Sequence, residues 1–324
     1  MQFDFGTFQQ LLVILIPTTL AVSAPIIITA IGGLYSERSG VVNIGLEGMM
    51  VIGAFTCALT ILGLEKSLGI WAVVIALVLS AIAGAILALF HAFASISMRA
   101  NQIISGTAIN IMGLAGALYA CRVLFNSKET EAIGVSVTKF GVPFLKDIPF
   151  IGPILFDSWY PTMFIVIGVV LFTWYLLYYR PFGYHLRACG EHPGAADSMG
   201  INVTKMRYIG VIISGVLAGL GGALVVLTIS TKFSELTIAG MGFLALAALV
   251  FGKWNPFGVL GAGLFFGLTK TLGIIFPVVF PDLNIPNVVF QIFPYVMTIL
   301  ALVLFSRKSA GPKAAGVVYD KGSR

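Results

Sequence analysis

Charge is what this sequence has least of. Only 10% of its 324 residues are Asp, Glu, Lys or Arg, whereas a soluble domain carries about 25%. That is too little to cover a globule in water, which excludes an ordinary water-soluble enzyme, a nucleic-acid binder and a disordered chain. Cysteine is scarce too. Cys57, Cys121 and Cys189 are too few and too scattered for a disulfide framework or a zinc site, so they read as packing residues. The three histidines (His91, His185, His192) stand apart from carboxylates and offer no metal-ligand spacing. No stretch reads G-x-x-x-x-G-K-[ST], so there is no P-loop for ATP. There is no H-E-x-x-H, and no Ser, His and Asp set in a nucleophile-elbow context. The residues that catalysis, a metal or a cofactor would need are missing, which disfavours an intramembrane enzyme.

What the sequence has instead is apolar length. Hydrophobic residues make up 58% of the chain and the mean hydropathy is +1.01. About 20 apolar residues cross a bilayer as a helix, and on that ruler the sequence predicts nine spans (eight to ten). They lie at 8–34, 43–64, 68–98, 102–125, 161–179, 207–231, 237–252, 256–276 and 288–305. The expected fold is therefore all-α, a polytopic membrane helical bundle. It forms a single transmembrane domain over 1–305, followed by a basic tail over 306–324. The span at 237–252 is short and holds Gly240 and Gly242, which predicts a broken or re-entrant helix. The first span carries Pro17 and Pro25, which predicts a bend. Ala21-Val22-Ser23-Ala24 resembles a signal-peptidase site, but Asp4 and no Lys or Arg precede it. A signal peptide begins basic, so retention as a membrane helix is expected.

The net charge of +6 comes from 19 Lys and Arg against 13 Asp and Glu. These basic residues form no stripe and read as topology charge, since cytoplasmic loops collect Lys and Arg. Placing the 180–206 loop and the tail in the cytoplasm puts 12 of the 19 on that face, from Arg38 and Arg99 to Lys321 and Arg324. Five (Lys66, Lys128, Lys139, Lys146, Lys232) fall outside. The expected topology has the N-terminus outside and the C-terminus cytoplasmic. Arg122 and Lys270, within spans, are expected to snorkel to the outer interface, the alternative being that they line the pathway. The outer loop, 126–160, carries Pro143, Pro149 and Pro153 with mixed charge. The tail after Ser306 reads as a disordered anchor.

Polar residues within the spans are expensive and therefore informative. Glu47 sits between Gly45 and Gly48 in NIGLEGMM, where two glycines weaken the helix. It either lines a cavity at an interrupted helix or lies at the interface and favours a helix N-terminus; the sequence leaves both open. NQIISGTAINIMG supplies Asn101, Gln102, Thr107 and Asn110, and helical periodicity lets Thr107 and Asn110 point together into the bundle. Asn110 either lines a path or hydrogen-bonds between helices. Asn43, Glu47, Thr107 and Asn110 are the candidate substrate-path residues. Gly215, Gly219 and Gly222, and Gly261, Gly263 and Gly267, have the small-residue spacing of close helix packing. In the 180–206 loop, Pro193 can open a short helix over 194–199 that Gly200 ends. Its small Ala195-Ala196 face suits docking in a groove of another protein; the loop alone would equally serve as an interfacial segment.

These residues also carry a resemblance. Gly190, Ala195, Ala196, Gly200 and Ile201 fit the G-x-N-x-x-A-A-x-x-x-G-I pattern of the coupling segment in permease subunits of ABC importers, in the ribose and branched-chain amino acid branch. His192 stands where that pattern has Asn. ERSGVVNIGLEGMMVIGAF (37–55) is similar to an early signature of the same branch, most like its nucleoside and simple-sugar permeases, and FGKWNPFGVLGAGLFFG (251–267) matches a weaker third stretch. The resemblance spans about 30–305. It implies a coupling role for Gly190, Glu191, Pro193, Ala195, Ala196, Asp197 and Gly200 in a short cytoplasmic coupling helix. It also implies cytoplasmic ATP-binding subunits, a second permease subunit (identical or homologous) and an extracytoplasmic substrate-binding lipoprotein, with no cofactor. The implied function is the membrane-spanning subunit of an ATP-driven importer of a small polar solute, most like a nucleoside, in the cell membrane. The alternative is a stand-alone ion-coupled transporter or channel, which would keep buried carboxylates for its ion and would not need a docking helix.

Overall fold

Long apolar runs between Gly-, Pro- and Asn-marked turns produce helices, and the computed structural model describes residues 5–148, 152, 156–279, 286–305 and 311–321 of this chain. Among these the regular structure is helical throughout, with one isolated bridge between Phe140 and Trp159. The helices are α1 Phe5–Arg38, α2 Leu46–Leu68, α3 Trp71–Ala92, α4 Gln102–Phe125, α5 Pro161–Tyr179, α6 Pro181–Glu191, α7 Pro193–Ser198, α8 Val203–Val225, α9 Met241–Phe251, α10 Pro256–Val279 and α11 Asn287–Phe305. Short π-helical turns extend α3 over Phe93–Ser97 and α8 over Val226–Ser230. Among the described residues, seven helices are long and apolar enough to cross a membrane. Helix α1 runs on through Pro17 and Pro25. Pro149 and Pro153 of the outer loop and Arg307, Lys308 and Arg324 of the tail lie outside the described residues.

Helix α8 occupies the centre, packed against α1, α2 and α3. It gets there because glycines stand where its backbone meets those of α2 and α3. A Cβ on Gly219 would overlap the Ser80 carbonyl of α3, and one on Gly222 would overlap the Met50 carbonyl of α2. Gly84 of α3 and Gly215 of α8 meet backbone to backbone in the same way. Backbones this close gain dispersion contacts that larger residues would block, which is how helices associate where lipid removes the hydrophobic incentive. In the second glycine series, Gly263 packs on Ile27 and Gly267 on Ser23 of α1, whereas Gly261 faces open space. The sequence expectation of a tight seam holds for two of those three positions.

On the side of the 126–160 loop, backbone bonds join it to the segment just past α8 (Thr130 N to Phe233 O, 2.9 Å; Ile133 N to Thr231 O, 2.8 Å). Gly134 N donates to Glu65 of α2 at 2.7 Å. On the opposite side, Arg38 at the end of α1 donates through Nη2 to Trp254 O at 2.8 Å, and the Trp254 indole donates to the buried Glu37. Helix α9 has 11 residues and is about 16 Å long, half the ~30 Å apolar core of a bilayer.

Replacing Gly222 with Val should force α8 off α2 and destabilise the bundle by roughly 1–3 kcal/mol, read as a lower melting temperature and yield of the purified protein. Gly261→Ala should leave both unchanged or slightly raised. Equal effects of the two would show that backbone proximity at Gly222 does not matter.

Candidate functional site

Between α1 and α2 the chain leaves the helix, turns at Ser39-Gly40 and runs as non-helical backbone through Val41–Gly45. Unwound backbone within a bundle must find partners for its own polar groups, and here side chains provide them. Val42 N donates to Gln102 Oε1 at 2.7 Å and Val42 O pairs with His91 Nε2 at 3.1 Å. The other ring nitrogen of His91 meets Ser105 Oγ at 2.9 Å. Asn43, fully buried, donates to Ser214 Oγ of α8 at 2.9 Å and accepts from Gly45 N at 3.0 Å. Asn110 of α4 reaches across to the same stretch, donating to Ile44 O at 3.0 Å and accepting from Gly48 N at 2.8 Å.

Glu47 does something the sequence did not anticipate. Its two oxygens accept from Gly240 N (2.8 Å) and Gly242 N (2.6 Å), the first amides of α9. The carboxylate thus caps a helix 193 residues away rather than its own, neutralising the positive end of that dipole. Gly240 adopts φ +80 there, a left-handed conformation open to glycine. Because Trp254, just past the other end of α9, is held by Glu37 and Arg38, this short helix is fixed at both termini. Lys270 of α10 reaches toward the start of α9. Its ammonium lies 3.4 Å from Ala239 O and within electrostatic reach of Glu47. Arg122 is exposed at the end of α4.

The four path candidates are therefore not one cluster. Asn43, Glu47 and Asn110 surround the 41–48 segment and are committed to backbone and Ser214. Thr107 stands on the exposed flank of α4, its hydroxyl donating to Ile103 O at 2.9 Å. Asn101 caps α4, accepting from Ile103 N at 2.9 Å.

The 180–206 loop folds as α6, α7 and a turn at Gly200 (φ +83) into α8, and Asn202 caps α8 by accepting from Lys205 N at 2.9 Å. The small-residue helix lies where the sequence places it, but its two alanines face opposite ways. Ala196 is buried at 4% exposure, whereas Ala195, Ser198 and Met199 (83%) are exposed. Gly190 is a contact residue: a Cβ there would strike the Arg38 carbonyl. Glu191 pairs with Arg38 at 3.9 Å, and Pro193 opens α7. Burial pushes the Cys189 thiol up to about 11, so it stays an inert packing group near neutral pH.

The tail departs from expectation. Residues 311–321 do not trail free but lie against this loop, because backbone groups and charges of α6, α7, α8 and the α3–α4 turn are placed to receive them. Ala314 N donates to Gly190 O at 2.8 Å, Gly316 N to Gly40 O at 3.3 Å, and Arg207 Nη1 to Val317 O at 3.0 Å. Arg99 forks both guanidinium nitrogens onto Asp320 at 2.9 Å. His91, Arg207 and this docking were missed by sequence reasoning; only the buried cost of His91 and Arg207 within apolar helices could have flagged the first two.

Residues 15–302 match the family described as branched-chain amino acid transport system / permease component. The chain is 49% identical to the guanosine ABC transporter permease protein NupQ of Bacillus subtilis over 97% of its own length and 99% of the relative. It is 42% identical to the nucleoside ABC transporter permease protein NupC of Lactococcus lactis, over 95% and 97%. The putative glucose ABC transporter permease protein TsgC13 of Haloferax volcanii is 33% identical over 80% and 76%.

Asn110→Leu should leave Gly48 N and Ile44 O unpaired and cost about 1–3 kcal/mol. A lower melting temperature, with the solute preference per folded molecule unchanged, is the expected result. An altered preference at unchanged stability would return Asn110 to direct solute contact.

Proposed function

The chain belongs to the branched-chain amino acid transport system permease family, and from that premise we propose that it is the membrane-spanning subunit of an ATP-driven importer of nucleosides. The observation that carries this is near-full-length identity of 49% and 42% to permeases named for guanosine and nucleosides. Since the sequence has no P-loop, ATP is hydrolysed by partner subunits. A substrate-binding lipoprotein and a second permease subunit complete the assembly.

Helix α7 is the coupling helix in this reading. Its exposed Ala195, Ser198 and Met199 form a small, mostly uncharged face that fits a groove, while Ala196 seats the helix on its own subunit. Helices α9 and α11 join the seven long ones to make nine spans. The docking of 311–321 on α6 and α7 supports placing the C-terminus and the 180–206 loop on one side, which Lys and Arg counts make the cytoplasm. Asn43 and Asn110 shape the wall of the path by holding unwound backbone, and Glu47 does so by holding the start of α9. Thr107, exposed on α4, is the one of the four available to a solute or to the second permease. Stand-alone ion coupling fits less well, because it calls for a buried carboxylate open to an ion and both oxygens of Glu47 are occupied by α9.

Cells making the permease with its ATPase and lipoprotein should take up labelled nucleosides in an ATP-dependent way, and uptake of sugars alone would overturn the substrate. Ala195→Glu places a charge in an interface core depleted of charge and should abolish ATPase association while the permease still inserts. Ala196→Glu should lower stability first. Normal association in Ala195→Glu would refute α7 as the docking helix. Cysteines at Ser198 and Ser136 should label from the cytoplasm and from outside respectively. Labelling of Ser198 by an impermeant outside reagent would invert the topology.

A further inference from the structure

Helix α7 has six residues, fewer than two turns, and a helix that short has no stability of its own in water. Something else must fix its pose. Toward its own subunit it offers the single buried residue Ala196. It also adjoins α6 and α8, its neighbours along the chain, and further contacts come from the C-terminal segment. Lys321 lies 3.6 Å from Asp197 of α7, and Tyr319 reaches the same carboxylate. Three residues before α7, Gly190 O accepts from Ala314 N at 2.8 Å, and Ala314 is buried. The segment is anchored elsewhere on three separate elements: Gly40 in the α1–α2 turn, Arg207 in α8 and Arg99 in the α3–α4 turn. Arg207 is buried at 2% exposure with Val317 O as its acceptor and the Tyr319 ring 5.8 Å from its guanidinium carbon. A surface tail held only by chance charge would not place a backbone carbonyl on a buried guanidinium.

We infer that residues 311–321 form a strap that sets the pose of α7 relative to α1, α4 and α8, with Arg99 and Asp320 as its clasp. These are positioning residues: they act on coupling through α7 and touch neither solute nor nucleotide. The strap rests on the reading of α7 as the coupling helix. Force applied to α7 by an ATPase would then pass through the strap into the α1–α2 turn, whose unwound continuation carries Asn43 and leads into Glu47 in the first turn of α2. Without the strap α7 would keep only Ala196 and its chain neighbours α6 and α8 to hold its tilt, and hydrolysis would proceed with less solute moved.

The test has two arms on the intact assembly in proteoliposomes. In the first, Ala314→Cys reports docking by its rate of maleimide labelling, the native cysteines Cys57, Cys121 and Cys189 being buried. Arg99→Asp should speed that labelling about threefold, the size an exposed ion pair supports, and Arg99→Asp with Asp320→Arg should restore it. In the second, the ATP hydrolysed per nucleoside imported should rise by a similar factor in Arg99→Asp and return in the double exchange. A chain ending before Gly311 should show the larger version of the same defect while still assembling with the ATPase, and it serves where Arg99→Asp does not fold. Unchanged labelling in Arg99→Asp overturns the clasp. Faster labelling with an unchanged ATP-to-solute ratio overturns the role in coupling, as does failure of the double exchange to restore the ratio. A wild-type assembly that hydrolyses ATP without nucleoside uptake overturns the functional reading instead, and leaves the labelling result standing.

Discussion

Backbone-to-backbone contact along α8 is the constraint the rest of the molecule answers to. Where Gly84 meets Gly215 and Gly222 meets Met50, no side chain separates the helices, so their separation and register follow from van der Waals radii alone. Lipid offers helices no hydrophobic gain for leaving it, and dispersion at close range must do that work. Once α8 is seated, Ser214 is carried to Asn43 and Arg207 to the α1–α2 turn. The positions of the polar residues are consequences of that packing.

The polar groups then solve a problem the packing creates. Bringing α1 and α2 around α8 leaves five residues of non-helical backbone at 41–45, and each orphan amide or carbonyl in an apolar interior costs several kcal/mol. Gln102, His91, Asn43 and Asn110 meet those groups. Glu47 meets the same need at the start of α9, where two amides would otherwise face apolar surroundings. The expensive residues of this bundle are therefore attached to interrupted backbone, and interruptions are where a transporter has freedom to rearrange.

Much of this was legible in the sequence, for identifiable reasons. Apolar runs gave the long helices, since length and hydropathy act locally, and Gly240 with Gly242 gave the shortened α9. Pro193 and Gly200 bounded α7. What could not be read depends on pairings far apart in the chain. Glu47 offered two roles and took a third, because its partners lie 193 and 195 residues away. Ala195 and Ala196 looked equivalent, and only the seating of α7 separates an exposed residue from a buried one. The tail looked disordered because it is basic and rich in small residues, and its docking relies on backbone groups that composition does not reveal. Gly261 shared the spacing of Gly263 and Gly267 yet faces open space, since spacing fixes a face but not what stands opposite it.

The central place of α8 also orders the making of the molecule in time. Helices α1 and α2 touch each other little and meet mainly through α8, which begins only at Val203. The first three helices thus enter the membrane well before the element that unites them exists, and Asn43 must wait for Ser214 across 171 residues. Non-local contacts of this kind are slow to form because the chain between them must first be closed into a loop. The half-built bundle carries a glycine-lined vacancy until α8 arrives, and during that interval it is open to any other helix with small residues at the same spacing.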